Sequence, residues 1–310
     1  MEVRQARAAD HEDIAAFTSD TWGDRFERGD YIADVFPEWV ENDGPEQRTV
    51  VAETDDRVVG VCQVVSLSEH EAWAQGMRVA DDARAGGVAE AMNDACFDWA
   101  RERGATVCRN MVFSWNVAGL GAARGVGYDP ATAFRWAHPD PDPNVDARAD
   151  ESGASEFDVV RDPDAAWSYW QHSDANRELA GLALNPEESW ALSECPRARF
   201  REAAAETAVF AVRGPEGTRG GAYRTRNYER ENEDGETELW AEYGVGAWDG
   251  VHAAQTLFAA IARDAADLGA DRTRVLIPET PRHVSDAAYA GIAVSEDPDF
   301  VMAADLTGHV

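Results

Sequence analysis

Of 310 residues, 28 are basic and all of them are arginine, against 59 Asp plus Glu, giving a formal net charge of −31. No Arg cluster is dense enough to offset the surrounding acid, which excludes the nucleic-acid binders, whose affinity rests on releasing phosphate counterions to a basic surface. An acid-rich, lysine-free chain predicts instead adaptation to a salt-saturated cytoplasm, where a screening length of only ~3 Å at 1 M collapses its self-repulsion.

Hydrophobic residues make up 44% of the chain, enough for a real core, and the length favours two domains. The N-terminal residues carry no basic-then-apolar signal, and nowhere do ~18 consecutive apolar residues occur, so a soluble, cytoplasmic protein with no membrane partner is expected. Cys62, Cys96, Cys108 and Cys195 form no CxxC pair and read as small buried hydrophobes. No set of His, Cys and carboxylates makes a convincing metal site.

In chain order, a strand is predicted over 3–6, then a helix starting at Asp10 with Ile14 and Phe17 on its apolar face. A hairpin follows over 49–65, turning at Asp55 and Asp56, then a strand over 73–79 and a helix over 87–103 closed by Gly104. A strand over 107–113 completes this half. The run 138–153, HPDPDPNVDARADESG, alternates proline with aspartate and reads as a linker or excursion. Beyond it the order repeats: a strand over 157–160, a helix started by Asp162 and Pro163, and a hairpin over 207–223. An acidic hairpin tip or excursion at 227–238 leads to a strand over 238–245, a helix over 251–268 closed by Gly269, and a strand over 273–277. Duplication of one α/β unit is the expected architecture, with domains over 1–138 and 156–310 joined by 139–155.

Gly76 to Gly104 reads GMRVADDARAGGVAEAMNDACFDWARERG, a strand end, a glycine-bearing turn, and a helix whose Val88, Met92, Ala95 and Trp99 form one stripe. Such a turn lets backbone approach a diphosphate while the first helical N–H groups face it. It also serves as a plain tight turn. In its setting the segment resembles motif A of the GCN5-related N-acetyltransferase (GNAT) superfamily, of the form Q/R-x-x-G-x-G/A, which Arg84, Ala85, Gly86, Gly87, Val88 and Ala89 satisfy. The likeness spans about 1–138 well and 156–310 in outline.

That resemblance implies two GNAT-like domains, each a mixed, mostly antiparallel sheet flanked by helices, in a tandem protein, and the acid-rich, lysine-free composition adds the expectation of a halophilic, haloarchaeal-like source. It implies acetyl-CoA as cosubstrate, with the 84–89 loop on the pyrophosphate and the strand at Met77 and Val79 on the pantetheine arm and thioester carbonyl. The later family segment N-x-x-A-x-x-L-Y-x-K-x-G-F is matched at Asn116, Gly127 and Tyr128, which makes Asn116 a further cofactor residue. Gly119, Ala122, Ala123 and Gly125 depart from it, and Ala123 stands where the family carries the tyrosine that protonates the thiolate. Glu71, Trp73 and Gln75 share one strand face. Glu71 is the candidate base, with an ordinary surface carboxylate as the bland alternative. Trp73, Gln75, Arg109, Ser114 and Trp115 are candidate substrate contacts, with Met111 a further candidate near the acetyl group. The second half offers Trp248 and Asp249 where the anion loop would stand and reads as degenerate. The expected activity is acetyl transfer to an amine, most simply a small molecule, by a monomer or homodimer. A non-catalytic acyl-CoA-binding regulatory or scaffold protein is the alternative.

Overall fold

In the computed structural model, the structure describes residues 1–19, 21, 30–84, 86–145, 157–232 and 234–308. The chain forms two compact units, 1–112 with 116–130 and 301–310, and 113–115 with 131–300. Residues 146–155 of the expected linker lie outside the described residues. No described helix is long and apolar enough to cross a membrane.

The N-terminal half comprises β1 (Glu2–Gln5), α1 (His11–Thr18), α2 (Ile32–Asn42), β2 (Gln47–Thr54), β3 (Arg57–Ser66), β4 (Glu71–Val79), α3 (Val88–Arg101), β5 (Val107–Phe113), α4 (Val117–Gly125) and β6 (Asp129–His138). Then come β7 (Asp158–Val160), α5 (Pro163–His172), α6 (Asp174–Glu178), β8 (Leu182–Leu184), β9 (Leu192–Glu194), α7 (Arg197–Glu206), β10 (Ala208–Gly214), β11 (Gly217–Glu231), β12 (Thr237–Trp248), α8 (Val251–Leu268), β13 (Arg272–Pro278), α9 (Pro281–Tyr289), β14 (Ala293–Val294) and β15 (Asp299–Asp305).

In the first unit β1, β2, β3 and β4 pair antiparallel in that order, β5 joins β4 in parallel, and β15 lies beside β5. The parallel step needs a crossover, which α3 supplies. One face of this sheet buries Cys62, Val64, Ala74, Met92, Cys96, Trp99 and Cys108, together with Met302, Ala304 and Leu306 from β15 and the residue after it. The other packs Val51, Val58 and Val61 under Ile14, Ile32 and Phe36 of α1 and α2. A side chain at Gly60 would meet Met92 at 2.8 Å and Val88 at 3.0 Å, so its absence sets how closely α3 lies on β3.

The second unit repeats the plan. β7, β10, β11 and β12 pair antiparallel, β13 joins β12 in parallel across α8, and β6 pairs with β13. The α/β class is therefore as expected, and the order of elements recurs in the second unit.

Local chemistry explains most element ends. Asp162 accepts from the N–H groups of Asp164 and Ala165 at 3.1 and 3.0 Å, and Pro163 takes the first helical position. Asp55 and Asp56 both adopt positive φ, 52° and 61°, the conformation a two-residue hairpin loop demands. Asp10 does precede α1, but its carboxylate is turned to Arg4 and the Arg7 N–H instead of the helix amides. The acidic stretch 227–238 is mostly strand, because β11 and β12 extend to Glu231 and from Thr237.

Asp299, 6% exposed, gives the fold a pH signature. Burial pushes its carboxyl up to about 6 from 3.8. The folded state then holds this proton over a range where the unfolded chain has released it, so stability falls as pH rises from about 4 to about 6. Asp299→Asn is expected to raise the unfolding free energy at pH 8 by up to ~3 kcal/mol and to leave it unchanged near pH 4. Thermal melts at the two pH values, at fixed salt, check the difference.

Candidate active site

The site begins where β4 and β5 part. Their parallel ladder runs through Glu71↔Val107, Ala72↔Cys108 and Trp73↔Arg109, and among the described residues it stops there. On its other side β4 continues along β3, but with a register shift: Gln63 faces Gln75 while Val61 faces Arg78. The extra β4 residue falls at Gly76 and Met77, and Gly76 has φ +64°. A bulge bends its strand and turns it away from a regular neighbour.

The bulge also sets which amides face the gap. The Ala80 N–H donates to the Val59 carbonyl at 2.8 Å, so it points toward β3. Successive strand N–H groups alternate sides, which turns those of Val79 and Met77 to the edge that β5 has left. Their side chains pack on the α3 face of the sheet. Backbone donors on an open strand edge can hold an extended amide chain and polarise a carbonyl.

Beyond β4, a single helical turn at Asp81–Ala83 leads into Arg84, Gly86 and Gly87; Ala85 lies outside the described residues. Gly87 is the N-cap of α3 with φ +75°, and no side chain caps the helix. The N–H groups of Val88 and Ala89 in the first turn thus face outward with the positive end of a 14-residue helix behind them. Nothing lies within 4 Å of where a Gly87 side chain would start. Arg84 pairs with Asp81 at 2.7 Å, both well exposed, and this contact is weak enough to yield to another anion.

Glu71, Trp73 and Gln75 lie on the α1 and α2 face of β4, opposite Ala72 and Ala74. Glu71 is 3% exposed; its Oε1 accepts from Arg109 Nη1 at 2.5 Å and its Oε2 from the Ser68 hydroxyl at 3.1 Å. Glu71 is thus a buried, ion-paired carboxylate and not an exposed one. Trp73 is buried, and Gln75 donates from Nε2 to Gln63 Oε1 at 2.7 Å.

Asn116 caps α4, its Oδ1 accepting from the Gly119 N–H at 2.9 Å. A side chain at Gly119 would meet Asn116 Nδ2 at 2.4 Å, which accounts for glycine where the motif has alanine. Ala123 is buried in the core. Tyr128 is buried too, its hydroxyl 3.5 Å from Cys108 Sγ and its ring against Phe97 at 5.4 Å. Burial raises both the Tyr128 hydroxyl and the Cys108 thiol, the latter to about 12. Ser114 and Trp115 belong to the second unit, where Trp115 stacks on Phe113 at 5.1 Å.

The corresponding place in the second unit is filled. Its β12 to β13 ladder ends at Tyr243↔Val275, and a register shift sits beside Gly244. Only Asp249 and Gly250 separate β12 from α8, too short a connection to cradle an anion. Trp248 is buried against Phe258 and His283, and its Nε1 donates to Asp286 at 2.9 Å. Asp249 accepts from Arg219 and Arg282 at 2.6 and 3.0 Å. Burial holds the His283 ring down to about 4, neutral at pH 7.

Residues 11–128 match the profile of the acetyltransferase (GNAT) family. Among solved structures, the chain is similar over its whole length to a GCN5-related N-acetyltransferase from Sphaerobacter thermophilus, at 14% identity over 96% of that chain with a TM-score of 0.61. It also resembles a putative acetyltransferase from Thermoplasma acidophilum, at 15% identity over 98% of this chain and 100% of that one, TM-score 0.53. A tandem GNAT protein from the clavulanic acid biosynthesis pathway aligns over 100% of this chain and 99% of its own, at 13% identity and a TM-score of 0.52. At these identities the likeness shows the fold alone. No curated protein matches.

Proposed function

We propose that the first unit binds acetyl-CoA along the open edge of β4 and transfers its acetyl group to an amine, most simply that of a small molecule. The observation that carries this reading is the conjunction of the Gly76 bulge with the uncapped α3 N-terminus, one supplying strand-edge donors and the other an anion site. The match of 11–128 to the GNAT family supports it.

In this reading the amides of Val88 and Ala89, the backbone of Gly86 and Gly87, and the Arg84 guanidinium hold the pyrophosphate. The Met77 and Val79 N–H groups take the pantetheine amide and the thioester carbonyl, with Asn116 as a further cofactor contact. Attack by the amine nitrogen on that carbon puts charge on its oxygen, and an N–H already in place stabilises it without reorganisation. Glu71 accepts the amine proton through water while Arg109 holds its carboxylate. Within the first unit, Trp73, Gln75 and Arg109 shape the acceptor side. The departing thiolate has a reference pKa near ~8.5 and leaves readily without a dedicated acid. Tyr128, turned into the core, is not that acid.

Binding of acyl-CoA without turnover is the second reading, favoured by alanine at position 123 where the family places a tyrosine. Acceptor-dependent thiol release across an amine panel, measured in several-molar KCl to match the −31 charge, separates the two. Glu71→Gln is expected to lower kcat by ~10² to 10⁴ with little change in KM for acetyl-CoA. An unchanged kcat assigns the base elsewhere; thiol release that ignores the acceptor removes the transferase reading.

A further inference from the structure

Arg224 lies on β11 in the second unit, where the pairs Ala208↔Arg224 and Phe210↔Ala222 put it on the sheet face of Ala208, Phe210 and Ala222. That face carries the apolar core under α8, with Tyr243, Ile261 and Ala265. Only 8% of Arg224 is exposed. A guanidinium carries donors and no acceptor, and it stays charged when buried.

The residues around it leave that charge incompletely met. Among the described residues Arg224 Nη1 has no hydrogen-bond partner. Nε lies 3.5 Å from Asp264 Oδ2, an ion pair without hydrogen-bond geometry. Asp264, itself buried, is committed elsewhere: Oδ2 accepts from the Tyr243 hydroxyl at 2.9 Å and Oδ1 from Arg161 Nη2 at 3.3 Å. Burial and the Asp264 charge raise the Tyr243 hydroxyl above its ordinary range, so it remains a neutral donor and adds no negative charge. Arg161 follows β7, with its guanidinium 5.1 Å from the Phe210 ring centroid and its side chain more than half exposed.

Two guanidinia therefore share one carboxylate. In a low-dielectric place an unbonded N–H and an unmatched charge are both costly, and native interiors rarely leave such a donor without an acceptor. What the cluster lacks is one acceptor that is also one negative charge. Water would supply the first without the second. We infer that Arg224, with Arg161, binds a small monovalent inorganic anion of the chloride class beneath α8. A monatomic anion supplies both, and a close-packed face takes it in with the least displacement. Arg161 stands at the solvent end of the site and Arg224 at its buried end. The anion would tie β7 and β11 to α8, so the packing of the second unit depends on it, independently of the acetyl-transfer reading.

Bromide replaces chloride and scatters anomalously. In crystals of the full chain soaked in bromide, an anomalous peak is expected at hydrogen-bond distance from Arg224 Nη1. In solution, with gluconate replacing chloride at constant ionic strength, amides of α8 over 261–265 are expected to exchange about tenfold more slowly in chloride. Arg224→Met is expected to abolish both the peak and the chloride dependence. Should that variant fail to fold, Arg224→Met with Asp264→Asn removes the buried charges together and carries the same expectation. A peak absent from the parent, or α8 exchange that ignores chloride, overturns the inference. A peak that persists without Arg224 overturns it too, since the anion then belongs to another arginine.

Discussion

Gly87→Glu is expected to weaken CoA binding by at least two orders of magnitude, from about one equivalent per chain in a calorimetric titration to none detected. Gly87 stands at the N-cap of α3 with φ +75°, and its first-turn amides are the donors assigned to the pyrophosphate. A carboxylate there competes for those amides and repels the ligand; a hundredfold loss corresponds to ~2.7 kcal/mol, within reach of one misplaced charge in a partly desolvated site. Space is not the difficulty, since a side chain at 87 meets nothing within 4 Å. Strain contributes ~1 to 2 kcal/mol to folding, and Gly87→Asn separates the two effects because asparagine tolerates the left-handed region without adding charge. Binding retained by both variants would place the anion elsewhere, and two equivalents in the parent would mean that Trp248 does not close the second unit.

Gly76→Ala is expected to be the most damaging single methyl in the first unit. A side chain at 76 would sit 2.3 Å from Trp39 Cη2 and 3.0 Å from Ile32 Cδ1, on a backbone with φ +64°. Overpacking of ~1 to 3 kcal/mol and left-handed strain of ~1 to 2 kcal/mol together come to ~2 to 5 kcal/mol, a large part of the ~5 to 15 kcal/mol that holds a domain. Chemical denaturation at fixed high salt measures it. Adding Trp39→Leu should recover the steric share and leave the strain. A loss below ~0.5 kcal/mol would show that the bulge relaxes freely.

How far the site could be read in advance depended on whether its signal was local. The helix of 88–101 showed in its stripe and its flanking glycines, and Asp162 with Pro163 marked α5, because capping and periodicity act over a few residues. The parting of β4 and β5 left no such trace: Gly76 in the sequence is one glycine in a strand, and its meaning comes from Trp39, 37 positions earlier. The face shared by Glu71, Trp73 and Gln75 followed from period-two alternation, but the Arg109 contact that holds Glu71 did not. Hairpin register sets Thr49 opposite Gln63, and the sequence marks that register only by the turn at Asp55 and Asp56. β15 has no local mark of this kind, since nothing near it in sequence says which sheet it completes.

That strand has a consequence for how the protein is made. Met302, Ala304 and Leu306 fill the core of the first unit, and the Leu306 N–H donates to the Thr106 carbonyl at 2.9 Å. On the ribosome, β1 to β5 emerge while residues 301–306 are still unsynthesised, so the nascent first unit waits with an unoccupied edge beside β5 and an uncovered apolar floor. Open edges of this kind invite pairing with neighbouring chains. Completing the first unit before the second is synthesised is closed to this chain; the first unit can reach its final state only after α8, β13 and α9 have left the exit tunnel. A peptide covering 301–308, supplied separately, would then act as the missing strand for a truncated chain.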